Sequence, residues 1–109
     1  MKVVTKENLY NYPTGTVYSD YSDGVVDGLY IKTQSIEKDD WCVIDILDPE
    51  FNGEPYEMID SLEKGEKVPY AISKENNSDL DNFEGLFLVY DKDDVVKIIE
   101  ALNNTLKQF

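Results

Sequence analysis

Leu86-Phe87-Leu88-Val89-Tyr90 is followed by a run to Phe109 in which Val95, Ile98, Ile99, Leu102, Leu106 and Phe109 recur at three- or four-residue spacing. Five uninterrupted apolar residues are the mark of a strand buried on both faces, and the recurrence after them is the mark of an amphipathic helix. Asp91 stands where an N-cap is needed, and Asp93 and Asp94 fall in the first turn, where carboxylates meet the positive end of the helix dipole. The expectation is a central strand Leu86–Tyr90 and a helix from Lys92 to Leu106 that lays its stripe on the sheet, with Ile99 in the core.

Outward from this anchor, the rest of the chain resolves into short elements. Thr5 caps one or two helical turns over Lys6 to Tyr10, which end before Pro13. Strands are expected at Thr16–Tyr21, Leu29–Gln34 and Trp41–Leu47; between the first two, Ser22-Asp23-Gly24 is a turn signal and Asp27-Gly28 a second turn or a bulge, and Asp48-Pro49 closes the third. Short connections make these three an antiparallel meander. Pro55 and Gly65 frame a second helix with Met58, Ile59 and Leu62 on one face. Val68–Ile72 reads as an edge strand, because Pro69 lacks a ladder donor, and Ser73–Asn82 as a loop. The expected class is α+β: one domain over residues 1–109, in the order α-β-β-β-α-β-β-α, with helices packed on one face of a largely antiparallel sheet.

Charge narrows the chemistry. The chain has 23 acidic residues against 10 basic ones, all lysine, with no histidine and a net charge of −13. Met1 to Ser19 carries +1; Asp20 to Asp60 holds twelve acids against Lys32 and Lys38, giving −10; the remainder gives −4. Such a field repels phosphate backbones and anionic membranes, so neither nucleic acid nor membrane is an expected partner. Without histidine there is no Ser-His-Asp or Cys-His activation, and without arginine no bidentate anion clamp. Cys42 is single, so it neither forms an internal disulfide nor builds a zinc site, and it reads as a core residue. Asn77-Ser78-Asp79-Leu80-Asp81-Asn82 alternates like a calcium loop but lacks glycine at the sixth position and places Leu88 at the twelfth. No enzyme activity, metal or cofactor is expected, and with no signal-peptide or membrane-spanning run the expected location is the cytoplasm.

The remaining candidate is a binding surface. On the third strand Cys42, Ile44 and Ile46 form one apolar face, while Trp41, Val43, Asp45 and Leu47 point the other way. That second face is either a partly covered core with Asp45 near its edge or a contact surface of aromatic anchors ringed by acids. With the first hairpin, the candidate partner-binding residues are Tyr18, Asp20, Tyr21, Asp23, Asp27, Tyr30, Asp39, Asp40, Trp41 and Asp45; tyrosine and tryptophan are favoured anchors.

Gly15-Thr-Val-Tyr-Ser19, Gly28-Leu-Tyr-Ile-Lys32, Asp39-Asp-Trp41 and Phe87-Leu-Val-Tyr-Asp-Lys-Asp-Asp94 together resemble uncharacterised small acidic proteins encoded by bacteriophages and prophages. The resemblance covers both ends of the chain, misses most of Asp48 to Asn82 and transfers no functional residue. It implies a mobile-element context, in which small acidic proteins often resemble inhibitors of host nucleases or nucleic-acid-binding factors. The expected role is docking on a basic host protein, for example a defence nuclease such as a CRISPR effector, with DNA mimicry one form it could take. Size scaling gives a diameter of about 34 Å, over which duplex DNA carries roughly 20 charges, so −13 reaches about two-thirds of that density. An immunity protein against a toxin nuclease and a phage assembly component are the alternatives.

Overall fold

The computed structural model describes residues 1–36, 40–50, 55–77 and 85–109. Its elements are β1 (Lys2–Val4), α1 (Lys6–Tyr10), β2 (Val17–Ser22), β3 (Val25–Ile36), β4 (Asp40–Asp45), α2 (Pro55–Glu63), β5 (Asn76–Asn77), β6 (Leu86–Tyr90) and α3 (Lys92–Leu106). The expected α+β class and element order are present, preceded by the additional strand β1. Six strands form one sheet in the order β1-β6-β2-β3-β4-β5, and every neighbouring pair is antiparallel.

Local chemistry explains most of the boundaries. Asp23 (φ 49°) and Gly24 (φ 83°) both take left-handed backbone between the paired Ser22 and Val25. This is the two-residue turn whose twist matches that of antiparallel strands. Thr5 caps α1 by accepting from the Asn8 amide, 3.3 Å away. Asp91 and Asp94 close a reciprocal capping box at the start of α3, at 2.9 and 3.0 Å, which satisfies two otherwise orphaned amides.

The core lies on one face of the sheet. Val4, Leu9, Tyr18, Trp41, Val43, Phe87 and Val89 form it, with Tyr10, Tyr12 and Tyr30 packed against it. Tyr18 sits edge-on to both Trp41 and Phe87, with ring centroids 6.2 and 5.6 Å apart, and the Trp41 indole Nε1 donates to the Tyr18 hydroxyl at 2.9 Å. Leu9 of α1 and the turn that follows cover this cluster. The turn is pinned to β3 at residue 32. The Lys32 amide donates to the Thr16 carbonyl, its carbonyl accepts from Gly15, and its ammonium donates to the Tyr12 carbonyl at 2.9 Å and to Ser35 Oγ at 2.8 Å.

Four expectations are corrected. The buried side of β4 is Trp41 and Val43, while Cys42, Ile44 and Ile46 are half-buried on the opposite side. The covering residues Leu9, Tyr10 and Tyr12 sit on the tryptophan face, so the partly covered core with Asp45 at its rim is the reading that holds. The strand beside β4 is Asn76–Asn77, not Val68–Ile72, which contributes only the isolated bridge Pro49–Ile72. Helix α2 buries no residue; Ile59 and Leu62 are exposed and Met58 is half-buried. Helix α3 has the expected extent but does not lay its stripe on the sheet: Val95 and Ile98 are half-buried, whereas Ile99 is 51% and Leu102 62% exposed. The radius of gyration of 15.9 Å, against about 13 Å for a close-packed chain of this length, fits a helix that stands off.

These placements separate two substitutions. Tyr18→Phe leaves the buried indole N–H without its acceptor and should cost about 1–3 kcal/mol. Ile99→Ala, on a half-exposed helical position where alanine has the better propensity, should cost less than about 1 kcal/mol. Urea unfolding in dilute solution measures both; the reverse ranking would move the core from the tyrosine–tryptophan face to α3.

Candidate functional site

The antiparallel register draws three carboxylates from distant sequence positions onto the core face. Asp20 of β2 lies directly opposite Asp27 of β3, and Tyr30 of β3 lies directly opposite Asp45 of β4. Opposite residues share a face, so Asp20, Asp27 and Asp45 lie on the same face as Tyr30, whose hydroxyl donates to Asp20 Oδ2 at 3.0 Å. Beneath them lies the aromatic floor: Tyr30 and Tyr18 stack tilted at 5.2 Å between centroids, and Tyr18 leads on to Trp41 and Phe87.

Gly28 is what lets Tyr30 lie there. Its φ of 75° belongs to the left-handed region, and a Cβ at this position would stand 2.5 Å from the Tyr30 ring. The β2–β3 register shifts between Tyr18 and Asp20, and the Gly28 carbonyl accepts from Ser19 Oγ at 2.6 Å. Ser19 Oγ also shares a 2.7 Å hydrogen bond with the Tyr90 hydroxyl, tying β2 to β6. On β4, the Asp45 side chain accepts from the Leu47 amide at 3.1 Å and its carbonyl accepts from Ser73 Oγ at 3.0 Å. The acidic face is therefore built on fixed strands.

Electrostatics follow from partial burial. Burial pushes the Asp20 carboxyl above the usual aspartate range; Asp27 and Asp45 push the same way, and the Tyr30 hydrogen bond offsets part of the rise. Burial and then the Asp20 charge push the Tyr30 phenol well up, so it remains a proton donor. Burial raises Tyr18 to about 12. Burial also lowers Lys32, whose ammonium lies 1% exposed among neutral oxygens with no ion pair among the described residues.

Of the ten candidate residues, the structure brings Asp20, Asp27, Tyr30 and Asp45 together. Tyr18 (2% exposed) and Trp41 (0%) are core residues and offer no surface to a partner. Tyr21 lies on the opposite face, half-buried, facing Val26 and Leu86. Asp23 is exposed at the hairpin tip, where it serves the turn. Asp40 sits at the start of β4 and accepts from the Trp41 amide at 2.8 Å. Asp39 and residues 78–82 of the calcium-like loop lie outside the described residues. Among the described residues no group of acids and cysteine is close enough to hold a metal ion, and no helix is long and apolar enough to cross a membrane. The residue missed from sequence is Lys32, which holds the cover of the core. Its signal was present: on β3 it alternates onto the same face as Tyr30.

Asp20 has a folded-state pKa above its unfolded value. Its contribution is thus fully present below about pH 4 and is lost as pH rises through the folded value. Asp20→Asn should therefore raise the urea midpoint at pH 7, and the gain should shrink toward zero as pH falls to about 4. A gain that grows on acidification would mean that Asp20 is stabilised, not strained, by its surroundings.

No protein-family model, curated protein or solved structure matches the chain.

Proposed function

We propose that this protein is a binding module whose acidic sheet face docks on a cationic protein surface, and that it acts by occupancy and not by catalysis. The observation that carries this reading is the register that sets Asp20 opposite Asp27 and Asp45 opposite Tyr30 on one face, with the Tyr30 hydroxyl on Asp20 and its ring stacked on Tyr18. Like charges gathered on one face weaken the compact state; burial is the main cause of the raised Asp20 pKa, and Asp27 and Asp45 add to it. A lysine- or arginine-rich partner would relieve the repulsion, steer encounter by its opposite field and leave the Tyr30 ring as a flat contact. The chain offers no arginine or histidine of its own for that role.

Extended mimicry of a DNA duplex is the less favoured form of this function. The longest principal dimension is 42 Å, over which duplex DNA carries roughly 25 charges, so a net charge of −13 reaches about half that density. A compact acidic patch addressing one cationic cleft fits better. In a phage setting, which the resemblance implies, that cleft would belong to a basic host protein such as a nuclease, and occupancy would inhibit it.

The test is affinity capture on the immobilised chain from a bacterial lysate, eluted by salt from about 0.1 to about 0.5 M. The expected result is a basic protein retained by the wild type, released within that range and lost with the Asp20→Asn/Asp27→Asn/Asp45→Asn variant. A control carrying Asp60→Asn/Glu63→Gln/Glu66→Gln, the same charge change on and beside α2, should retain it. Equal loss from the two variants would mean that net charge, not this face, does the binding; retention insensitive to salt would overturn the electrostatic reading.

A further inference from the structure

Helix α3 leaves a connected apolar surface uncovered. Val96 is 41% exposed, Ile99 51%, Leu102 62%, Leu106 63% and Phe109 97%. Val95, Ile99, Leu102, Leu106 and Phe109 follow the 4-3-4-3 spacing of a two-stranded helical seam. A lone helix of this length is marginal in water and takes its stability from a packed face, yet this one holds the sheet only through its first turns, where Val95 and Ile98 are half-buried. At its base the stripe runs into a groove of about 710 Å³ lined by Tyr12, Pro13, Val17, Tyr90, Val95 and Val96.

We propose that α3 is a self-association surface on which two copies of the chain pair antiparallel, with Phe109 of each entering the groove at the base of the other's helix. Two arguments select a second copy as the occupant. The first is charge. In a chain of net −13, the segment from Lys92 to Phe109 is neutral, its three lysines (Lys92, Lys97, Lys107) matching Asp93, Asp94 and Glu100. The net negative charge lies outside this helix, mostly between Asp20 and Asp60, so the helix is a surface along which two copies meet without like-charge repulsion. Antiparallel pairing sets the acidic first turn of one helix beside Lys107 of the other and opposes the two helix dipoles, whereas parallel pairing would place Asp93 and Asp94 side by side. It also matches Ile99 to Leu102 and Val95 to Leu106 across the twofold axis.

The second argument is area. At roughly 150–250 Å² for a fully exposed large side chain, the five exposed residues leave about 600 Å² accessible per copy. A twofold pair would bury on the order of 1,200 Å², the lower bound for a specific interface. An interface at this lower bound belongs with weak associations, and a dissociation constant on the order of 10 µM is taken as the figure the test must bracket. The acidic face around Tyr30 contributes nothing to the seam, so this association stands or falls independently of partner binding.

Sedimentation equilibrium from about 1 to about 200 µM, a span bracketing the expected constant, tests the proposal. The mass should rise from 12.5 kDa toward twice that value. Leu102→Asp/Leu106→Asp should weaken association by about 100-fold or more, with the near-ultraviolet signal of Trp41 reporting an intact core. Phe109→Ala should weaken it about tenfold. Lys107→Glu should weaken it, and adding Asp93→Lys to the same chain should restore it, because only antiparallel helices bring those positions together. A wild-type mass fixed at 12.5 kDa throughout, or dimerisation that survives both aspartates, would overturn the proposal. Absence of charge-swap rescue would overturn the antiparallel arrangement.

Discussion

The hydrogen bond from the Trp41 indole to the Tyr18 hydroxyl is the interaction on which the rest of this fold is arranged. It links β2 to β4 across the intervening β3 and sits inside an edge-to-face group completed by Phe87 of β6. Such rings contribute both area and orientation, and a buried indole N–H needs its acceptor. With these strands locked, the cover follows: Leu9 seals the cluster, and the turn after α1 is fastened to β3 by both backbone groups of Lys32 and by its ammonium. A lysine placed under neutral oxygens is an expensive fastener. It is retained where the carbonyl of Tyr12 would otherwise face the core margin.

The same geometry generates the acidic face. Once Tyr18 and Trp41 are committed inward, pairing carries Tyr30 and Asp45 to the rim of that core face and sets Asp27 opposite Asp20. The bulge at Gly28 turns the tyrosine ring across the place where a side chain would have stood. Folding thus gathers like charge on one face, and partial burial, helped by Asp27 and Asp45, raises the Asp20 pKa. Stability alone gives no reason to gather three carboxylates on one face beside a phenol, and this is why we propose a cationic partner for it. The apolar edge of α3 is a different kind of surface, neutral and hydrophobic.

Much of this was legible in the sequence. The Leu86–Tyr90 run, the Asp91 cap and the Asp23-Gly24 turn are local signals with local causes, and each stands where its chemistry puts it. What was not legible depends on partners far along the chain. β4 is apolar on both sides, so alternation alone did not say whether Trp41 or Ile44 faces inward; Leu9 and Tyr12 decide it. β1 is three residues long, too short to show a period. The α3 stripe announces an apolar face without saying what covers it. For the site, Asp20, Asp27, Tyr30 and Asp45 were nameable as candidates, but only register separates them from Tyr18 and Trp41, which belong to the core, and from Tyr21 on the reverse face. Lys32 alternates onto the face of Tyr30, but a lysine at such a position is not announced as buried by pattern alone.

Trp41 is the single tryptophan, so its indole proton gives one resolvable signal in a nitrogen-correlated spectrum. The most direct test of the account is solvent exchange at that proton, compared with the slowest backbone amides of β2 and β6. If the Trp41–Tyr18 contact holds the sheet together, the indole opens only with global unfolding and shares the free energy of those amides. Exchange at the rate of an open indole, while the strand amides remain protected, would contradict it and leave the acidic face without its foundation.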